Sequence, residues 1–367
     1  MDPRDTAVTL WQAGVDAVDG YAATKVALEG IARPDRILAV GKAAGAMARA
    51  ALERFPQVPA LVVTKDGHGD GLPEAAEVIE AAHPVPDARS LRGGKALREA
   101  VEAMPEGSEL LLLVSGGASS LAEDLVEGNT LEDLATINRR LLGAGLDIAA
   151  MNAERRRLSR IKGGGLLSHF RGARASVLAI SDVPGDDIAV IGSGIGAAPA
   201  APDFAYGARI VASNAHARMA AEQAARARGI EVLEQGEALH DDMNALARHW
   251  GPRLRSMERG AIILGGEPTV VLPDNPGRGG RNQALALALA REIAGTTGIT
   301  VLVGGTDGTD GPTEAAGGLV TGATWGPGAQ EALDRADSGS FLAAQDALLV
   351  TGPTGTNVMD LVIALRA

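Results

Sequence analysis

Two arginines lie in a glycine-rich stretch late in the chain, the sequence GRGGRNQ at 277–283. The apolar pattern that follows predicts a helix over 282–294, so the stretch leads into the first turn of that helix. A guanidinium group binds phosphate or carboxylate oxygens in pairs, and the free N–H groups of a helix N-terminus also attract anions. The stretch therefore indicates a site for a multiply charged anion, with Arg278 and Arg281 as its cationic contacts.

Two turns in the first third of the chain, each after a predicted strand, carry further candidates. Lys42 follows the strand predicted over 37–40 and opens the next helix, where its ammonium group can meet an anion at the helix N-terminus. The strand predicted over 109–114 continues into SGGASS at 115–120, whose small residues let several N–H groups point into one concavity beside hydroxyl groups. For Lys42 the alternative is a lysine that is merely solvated in the first turn of a helix, and for the second turn the alternative is an ordinary structural turn. The candidate phosphate contacts in the second turn are Ser115, Gly116, Gly117 and Ser119.

Gly-Gly followed by polar residues occurs after three of the predicted strands, at 116–117, 265–266 and 304–305. In open α/β sheets ligands bind beyond the carboxyl ends of the strands, where glycine lets the backbone approach them closely. A tight strand-to-helix turn is the alternative, and for one isolated pair it is the better explanation. Three pairs with polar followers give a binding role equal weight, so Gly266 and Glu267 are candidates as well.

Aspartates follow two of the predicted strands, those over 176–180 and 300–303. Carboxylates at strand ends suit Mg²⁺ beside nucleotide phosphates, or a base that accepts the proton of a substrate hydroxyl. Aspartate is also a common turn former and helix N-cap, which is the alternative for each of them. The five candidates are Asp182, Asp186, Asp187, Asp307 and Asp310.

Several other kinds of site are excluded. GSGIGA at 192–197 has the glycine spacing of a dinucleotide-binding turn. However, Asp186 and Asp187 interrupt the strand that such a turn needs, Pro199 blocks its helix, and no acidic residue follows about 20 positions later. The chain has no GxxxxGK[ST] phosphate loop and no GxSxG nucleophile turn. It has no cysteine, and its six histidines lack the spacing of metal ligands, which argues against thiolate chemistry and against a histidine-bound metal.

Composition limits the broad class of the protein. The 367 residues exceed the length at which one core usually stops growing, so two domains are expected. Hydrophobic residues form 46% and charged residues 22% of the chain, as in folded proteins, and the 2% of aromatic residues leaves the core to aliphatic side chains. The net charge of -12 argues against nucleic acid as a partner, since phosphate backbones need a basic surface. No signal sequence or bilayer-length apolar stretch is evident, so a cytoplasmic protein without a membrane partner is expected.

The apolar pattern predicts short strands that alternate with longer amphipathic helices. Most of the strands are continuously apolar, as in a sheet covered on both faces, so an α/β fold with largely parallel sheets is expected. The predicted strands span 37–40, 60–64, 109–114, 176–180, 208–213, 231–233, 261–264, 270–272, 300–303 and 358–365. The predicted helices span 43–54, 88–104, 130–142, 215–228, 241–257 and 282–294. A polar stretch at 235–258 is the expected domain boundary.

Taken together, these motifs resemble those of the glycerate 2-kinases, also called class II glycerate kinases, which carry a C-terminal MOFRL-type domain. The matching segments occur in the same order from residue 41 to residue 357, so the resemblance covers nearly the whole chain, and several of them are long enough to be specific. They are GKA at 41–43, VTK at 63–65, GH at 67–68, HPVPD at 83–87, SGG at 115–117, LS at 158–159, IKGG at 161–164, ISDVPGDD at 180–187, GGE at 265–267, GRGGRNQ at 277–283, GTDGTDGPT at 305–313 and TGPTGTN at 351–357.

The resemblance implies a Rossmann-like three-layer N-terminal domain over 1–235, a smaller α/β MOFRL-type domain over 258–367, and an active site in the cleft between them. It implies ATP-dependent phosphorylation of the 2-hydroxyl of D-glycerate, with Mg²⁺, to give 2-phospho-D-glycerate and ADP. Lys42 and Arg281 are implied as catalytic residues, and Asp182 is our third catalytic candidate. The expected partners are these small molecules, and a homo-oligomer stays open.

Cofactor and metal contacts are assigned on the same basis. The expected cofactor contacts are Ser115, Gly116, Gly117, Ser119, Gly266, Glu267, Arg278, Asn282 and Asn357. The expected metal ligands are Asp186, Asp187, Asp307 and Asp310. Mg²⁺ beside phosphate takes only one or two carboxylates, so these four cannot all be ligands.

The sequence departs from the family pattern at several positions. Ala118 replaces a third glycine, Gly165 an arginine, Ile195 a proline and Ala284 a glutamate, and Pro268 interrupts Gly-Gly-Glu-Thr-Thr. These changes bear on the acceptor more than on the reaction class. Two alternatives therefore stay open: a hydroxypyruvate reductase-type oxidoreductase, which would need the nicotinamide fingerprint excluded above, and an inactive regulator that binds a hydroxy acid or another anion.

Overall fold

The computed structural model describes residues 2–74, 76–136 and 157–367, and the chain divides into two compact units. Gly20–Ala212 forms one unit, the Rossmann unit; Met1–Asp19 combines with Ser213–Ala367 in the other, the mixed-sheet unit. Each unit contains a six-stranded sheet. Part of the helix predicted over 130–142 lies outside the described residues. Within the described part of the chain, no helix is both long enough and apolar enough to cross a bilayer.

The elements of the described residues follow chain order. The strands are β1 Arg36–Val40, β2 Ala60–Lys65, β3 Ala76–Ala81, β4 Glu109–Val114, β5 Arg174–Ile180, β6 Ala205–Ala212, β7 Val232–Glu237, β8 Gly260–Gly266, β9 Ile299–Gly305, β10 Gly317–Thr321, β11 Leu348–Leu349 and β12 Asp360–Arg366. The helices are α1 Pro3–Asp16, α2 Gly20–Ala27, α3 Ala44–Arg54, α4 Ala88–Glu102, α5 Ala118–Leu121, α6 Gly165–Ser168, α7 Asn214–Arg226, α8 Met243–Ser256, α9 Arg281–Glu292, α10 Ala329–Asp334 and α11 Ser338–Ala344.

The sheet of the Rossmann unit is parallel, in the order β3-β2-β1-β4-β5-β6. This is the strand order of dinucleotide-binding α/β folds, and the order reverses between β1 and β4. The central strands are buried on both faces, and in β4 every residue from Leu110 to Val114 is at most 1% exposed, as in sheets covered by helices. The predicted Rossmann-like architecture is confirmed.

Helix α4 shows how local sequence positions one layer against this sheet. Asp87 is its N-cap and accepts hydrogen bonds from the N–H groups of Arg89 and Ser90, while Ser90 Oγ accepts one from the Asp87 N–H, which completes a capping box. The Glu123 N–H donates to Ser90 O at 3.0 Å. A Cβ at Gly94 would lie 2.2 Å from the carbonyl carbon of Glu123, so glycine lets α4 and the segment of Glu123 approach closely.

The sheet of the mixed-sheet unit differs from the expectation of largely parallel strands. Its order is β11-β10-β9-β12-β8-β7, and β7 with β8 is the parallel pair, whereas the other described pairs are antiparallel. The predicted strand–helix–strand sequence of β8, α9 and β9 is present. However, β12 lies between β8 and β9 and runs antiparallel to both. This pairing joins segments that are distant along the chain, so the local pattern carries no signal of it.

Helix α1 belongs to the mixed-sheet unit although it lies at the opposite end of the chain from β12. Trp11 is fully buried, and its Nε1 donates to Gly304 O at 3.2 Å. In addition, β7 and β8 pair in one sheet across the boundary predicted at 235–258. The compact units therefore differ from the predicted domain limits of 1–235 and 258–367, because segments that pack together are not consecutive in the chain.

Some predicted elements also differ from the structure. Residues 270–272 are predicted as a strand, but they are irregular, and Val271 and Leu272 are 85% and 59% exposed. The pattern misses β3, which contains two glutamates, and β10, which begins with two glycines. It also misses the helices at the start of the chain, α1 and α2. In these segments tertiary contacts outweigh the weak local propensity.

We expect Trp11→Ala to loosen the mixed-sheet unit and to leave the Rossmann unit intact. Loss of a buried tryptophan side chain costs on the order of 3–5 kcal/mol, and hydrogen exchange followed by mass spectrometry should show faster exchange in peptides of β9 and β12. The control is Val26→Ala, at a side chain 69% exposed, which should change stability by less than about 0.5 kcal/mol. Faster exchange confined to β1–β6 would contradict the assignment of α1.

Candidate functional site

The turns after β1 and β4 lie where the strand order of the Rossmann unit reverses, the place where such sheets bind ligands. The two strands are in register to their last residues, with Val40 opposite Val114, so the turns begin side by side. The Ser115 N–H donates to Val40 O at 2.9 Å. The Lys42 N–H donates to Gly116 O at 2.9 Å. The two predicted turns therefore form one structure.

Glycine is required at position 41 by the contact between these turns. Gly41 has a φ of +124°, and a Cβ there would lie 2.2 Å from Ser115 Oγ. The Ser115 hydroxyl is fully buried and accepts a hydrogen bond from the Ala43 N–H at 3.0 Å. The sequence predicts Ser115 as a phosphate contact, whereas its described hydrogen bond holds the turn that carries Lys42.

Lys42, His83 and Gly117 converge beside the joined turns. Gly117 has a φ of +81°, and a Cβ there would lie 3.1 Å from both Lys42 Cγ and His83 Cδ2. His83 follows β3 and so reaches the same edge of the parallel sheet. Gly117 thus keeps open a space beside a cation and an imidazole. His83 is not among the predicted site residues, although the HPVPD motif marks its position.

His83 also lines a cavity of about 210 Å³. Ser119, a predicted cofactor contact, lies in the wall of this cavity together with Ser120 and Lys162. Pro84, Pro86 and Leu134 line the rest of the described wall. The cavity therefore combines hydroxyl groups, an imidazole and a cation with apolar surface.

Lys162 is the cation of this cavity, and it is buried. Its side chain is 3% exposed, and its Nζ forms an ion pair with the fully buried carboxylate of Glu123. The other carboxylate oxygen of Glu123 accepts a hydrogen bond from the Asp124 N–H at 3.0 Å. Burial of two charges carries a desolvation cost that their attraction barely offsets. Neither residue is predicted as a site residue, and the IKGG motif is the one sequence signal for Lys162.

The excluded glycine motif supports the loop of Lys162. The Gly163 N–H donates to Ser193 O and the Gly164 N–H donates to Gly194 O, both at 2.9 Å. Ile191–Gly194 forms a 3-10 turn with positive φ at three of its residues. A dinucleotide-binding turn joins a strand to a helix. The segment at 192–197 has no strand directly before it and no helix directly after it.

The three aspartates predicted after β5 lie at the edge of the sheet that carries Lys42, because β5 is parallel to β4 and adjacent to it. The 3-10 turn Pro184–Asp186 carries Asp186, which has a φ of +55°. Asp187 Oδ1 accepts a hydrogen bond from the N–H two residues later at 2.8 Å. Asp182 and Asp186 are half-buried and Asp187 is exposed.

In the mixed-sheet unit, Arg281 begins α9 and is held by two carboxylates. Its Nε and Nη2 donate to Asp360 at 2.8 and 3.3 Å, and its Nη1 donates to Glu267 at 2.5 Å. Gly266, at the end of β8, pairs with Asp360, at the start of β12, so the pairing of these strands assembles the cluster. Burial raises the pKa of Asp360, and the charge of Arg281 offsets this only in part. The predicted anion contact is therefore a cation already paired within the protein.

The N-terminus of α9 is capped by Asp310. The N–H groups of Asn282 and Gln283 donate to its two carboxylate oxygens at 3.1 and 2.8 Å. A Cβ at Gly280 would lie 2.3 Å from Asp310 Cγ, so glycine admits the carboxylate. Asp310 is 3% exposed, and burial raises its pKa to about 6.

This cap changes two expectations. The helix N-terminus predicted to attract a substrate anion is occupied by a carboxylate of the chain itself. Asp310, predicted as a metal ligand, has both oxygens in hydrogen bonds to α9. The physical reason is the same for both: free N–H groups at a buried helix end need an acceptor, and Asp310 supplies it.

Two other predicted cofactor contacts, Asn282 in α9 and Arg278 in the loop before it, differ in burial. Asn282 is 1% exposed, and its Nδ2 donates to Asp360 Oδ1 at 2.9 Å. Arg278 is exposed, and its N–H donates to Asp337 Oδ1 at 2.8 Å. The structure thus brings Asn282 to the Arg281 cluster and places Arg278 on the surface.

Asn357 lies in a loop anchored on both sides. The hydroxyl of Thr356 donates to Val18 O at 2.6 Å, and the Val358 N–H donates to Thr306 Oγ1 at 2.9 Å. Asp307, next to Thr306, accepts hydrogen bonds from the N–H and hydroxyl of the residue two positions later at 3.0 and 3.1 Å. These contacts fix the loop before β12, which carries Asn357, and the turn after β9, which carries Asp307.

The predicted metal ligands are divided between the two units. Asp186 and Asp187 belong to the Rossmann unit, and Asp307 and Asp310 belong to the mixed-sheet unit. Among the residues that the structure describes, no three His, Asp or Glu side chains group closely enough to hold a metal ion by themselves.

Comparison with known families matches each of the two parts of the chain to a family. A family described as a domain of unknown function, DUF4147, matches residues 6–239. The MOFRL family matches residues 260–360. These matches follow each other along the sequence with a gap near the predicted boundary.

Individual relatives extend along almost the whole chain. The D-glycerate 2-kinase of Thermotoga maritima is 35% identical over 415 residues, which cover 99% of this chain and 98% of that protein. The crystal structure of a glycerate kinase from Thermotoga maritima matches with a TM-score of 0.89 at 32% identity, over 99% of each chain. An Agrobacterium vitis protein named as a hydroxypyruvate reductase is 36% identical over 89% of this chain and 97% of its own length. The chain therefore belongs to the DUF4147–MOFRL family, the family of the D-glycerate 2-kinase of Thermotoga maritima, as its sequence motifs predict.

Proposed function

We propose that the chain is a kinase that transfers the γ-phosphoryl group of ATP to the 2-hydroxyl of D-glycerate, giving 2-phospho-D-glycerate and ADP. The proposal is based mainly on one observation. The turn that carries Lys42 is joined to the glycine turn at 116–117, at the point where the strand order of the Rossmann unit reverses. A fixed cation and closely approaching backbone are the parts that phosphoryl transfer requires. The name of the Thermotoga maritima relative supports the acceptor. A cytoplasmic location stays a prediction, and a homo-oligomer stays open.

In the Rossmann unit, we assign the phosphates of ATP to the joined turns. Lys42 stabilises the charge that develops on the transferred phosphoryl group. Gly116 and Gly117 leave room for phosphate oxygens next to the backbone, and Ser119 supplies a hydroxyl group. Asp182, half-buried at the same edge of the sheet, accepts the proton of the 2-hydroxyl as general base.

Mg²⁺ is part of the proposal. Mg²⁺ prefers oxygen ligands, and the turn after β5 places carboxylates at the same edge of the sheet as Lys42. Beside a nucleotide, Mg²⁺ is bound by one or two carboxylates, and phosphate oxygens and water supply its other ligands. Asp186 and Asp187 are the residues that would hold it, and the ion would neutralise charge on the phosphates. Asp307 stays a predicted ligand, whereas Asp310 is left out because both its oxygens cap α9.

In the mixed-sheet unit, Arg281 remains the proposed catalytic cation. Its bidentate contact with Asp360 fixes the plane of the guanidinium group, and a third of its side chain stays exposed. A guanidinium group held in one orientation can meet a phosphoryl oxygen without losing much side-chain freedom. Glu267 and Asn282 hold this cluster, and Gly266, Arg278 and Asn357 stay predicted cofactor contacts.

Hydroxypyruvate reduction is the second candidate, because a relative of similar identity carries that name. A nicotinamide dinucleotide needs a glycine-rich turn between a strand and a helix. The glycine motif with that spacing, at 192–197, forms a 3-10 turn that supports the Lys162 loop instead. The structure of this motif therefore favours the kinase.

Incubation of the purified chain with ATP, Mg²⁺ and D-glycerate tests the proposed function. We expect phosphorus NMR to show 2-phosphoglycerate and ADP in equal amounts. Formation of 3-phosphoglycerate would contradict the assigned hydroxyl. Oxidation of NADH in the presence of hydroxypyruvate would support the reductase, and binding of D-glycerate without ATP turnover would support the regulator.

We predict that Lys42→Ala lowers kcat by roughly 10²–10⁴-fold, because it removes a fixed charge next to the transferred group. Lys42→Arg should recover little of this activity, since a planar guanidinium group cannot take the place of a compact ammonium group. Circular dichroism should show a folded protein in both cases. Lys95→Ala, at a side chain 62% exposed on α4, is the matched control and should retain full activity. Near-normal turnover of Lys42→Ala would remove Lys42 from the mechanism.

We predict that Arg281→Ala lowers kcat more than it raises the KM for D-glycerate, because charge shifts on the phosphoryl group during transfer. The same variant should lose up to about 3 kcal/mol of stability, since Asp360 is left buried without its cation. Thermal melting and steady-state kinetics check the two effects separately. Arg278→Ala, an exposed arginine three residues earlier, should keep the stability of the natural protein. An unchanged kcat with a raised KM would make Arg281 a substrate anchor.

We predict that excess EDTA abolishes phosphoryl transfer and that added Mg²⁺ restores it. Replacing both Asp186 and Asp187 by Asn should raise the Mg²⁺ concentration for half-maximal activity by about tenfold or more, because altering even the groups that support a metal's ligands has an effect of this size. Asp334→Asn, at an exposed carboxylate on α10, serves as control. Full activity in EDTA would refute the metal requirement.

A further inference from the structure

The cavity of about 210 Å³ in the Rossmann unit has the composition of a small-molecule site. Ser119, Ser120, His83 and Lys162 share its wall with apolar residues. Small-molecule sites usually combine apolar surface with a few polar groups that converge. The nucleotide assignment above uses one of these residues, Ser119, and leaves the others without a function.

The cavity meets the cationic member of the ion pair, because Lys162 is among its described lining residues and Glu123 is not. Glu123 accepts from Lys162 Nζ with one oxygen and from the Asp124 N–H with the other. An ammonium group has three donors, and Glu123 is the described acceptor for one of them. Lys162 can therefore donate further hydrogen bonds to a ligand in the cavity, which favours an anionic ligand over a cation.

The cavity lies next to the proposed phosphate site. His83 lines the cavity and is also within 3.1 Å of a Cβ position at Gly117, as is Lys42 Cγ. Ser120 Oγ donates to Gly117 O at 3.1 Å. A molecule in the cavity would thus lie beside the transferred phosphoryl group.

The size of the cavity restricts its occupant. Sites for drug-sized ligands span roughly 300–1,000 Å³, so a space of about 210 Å³ suits an acid of a few heavy atoms better than a nucleoside. We propose that this cavity binds the acceptor, a hydroxy acid of about three carbons, with Lys162 Nζ as the contact of its carboxylate and Glu123 as the residue that positions Lys162. This inference rests on the proposed kinase function.

Three variants separate a binding role of Lys162 from a structural one. Glu123→Gln keeps the cation, Lys162→Met removes it, and Lys162→Met combined with Glu123→Gln removes both charges, so that no unpaired charge stays buried. In the double variant we expect the KM for D-glycerate to rise by about 10- to 150-fold, the range for a lost hydrogen bond to a charged group. The KM for ATP should stay the same. Glu123→Gln alone should raise the KM for D-glycerate much less than the double variant does.

Several outcomes would overturn the inference. One is a folded double variant, judged by its melting temperature, with an unchanged KM for D-glycerate. Another is an equal rise of both KM values, which would indicate a structural role. If the natural protein phosphorylates no D-glycerate, the proposed function fails. Isothermal titration with D-glycerate then tests the cavity alone. The natural protein should bind D-glycerate and the double variant should not, and equal binding by both proteins would contradict the inference.

The length of the acceptor provides an independent check. Leu134 is buried in the cavity wall, so Leu134→Ala should enlarge the space for the carbon chain. We expect the ratio of kcat/KM for a four-carbon hydroxy acid to that for D-glycerate to rise about tenfold, since one methylene in an apolar pocket changes such ratios by this order. An unchanged ratio would contradict the placement of the chain in this cavity.

Discussion

The contact between the backbone of Gly41 and Ser115 is the constraint on which the site in the Rossmann unit depends. Strands β1 and β4 end in register, so the two turns that follow must pass each other at van der Waals distance. A residue without a side chain and with positive φ solves this problem at position 41. The same contact fixes Lys42 relative to Gly117 and His83, and through His83 relative to the cavity of Lys162. One local steric requirement thus positions both the proposed phosphate site and the proposed acceptor site.

In the mixed-sheet unit, the comparable constraint is the insertion of β12 between β8 and β9. This pairing places Asp360 beside Glu267 and under Arg281. Arg281 therefore stays oriented by two carboxylates, one of them almost fully buried, and Asp310 closes the N-terminus of the same helix. The result is a cluster held by several hydrogen bonds, in which 34% of the Arg281 side chain stays exposed. A guanidinium group held in this way is preorganised, because it has little side-chain freedom left to lose when it meets a ligand.

The sequence predicts much of this arrangement, and the parts it misses have a common physical cause. Continuous apolar strands such as β4 and the motifs after them are local features, so the α/β class, the Rossmann-like unit and the position of Lys42 follow from the residues and their resemblance to a family. The place of β12, the cap by Asp310 and the ion pair of Lys162 with Glu123 depend on contacts between distant segments. Charged residues such as Glu123 and Lys162 are also expected at the surface on average, so composition gives no hint that these two are buried. Only the fold brings these two residues into contact beside the cavity.

The central claim is that the joined turns bind the phosphates of ATP, and ATP affinity of a matched pair of glycine variants tests it most directly. Gly117 and Gly107 have φ values of +81° and +82°, but a Cβ at Gly117 would meet Lys42 and His83, whereas a Cβ at Gly107 would meet nothing within 4 Å. Replacement by alanine imposes the same backbone strain at both positions, so any difference between the variants reflects the space beside Lys42. Isothermal titration should show that Gly117→Ala weakens ATP binding by about tenfold or more, equivalent to about 1.4 kcal/mol, while Gly107→Ala binds ATP as the natural protein does. Equal ATP affinity of the two variants would contradict the account.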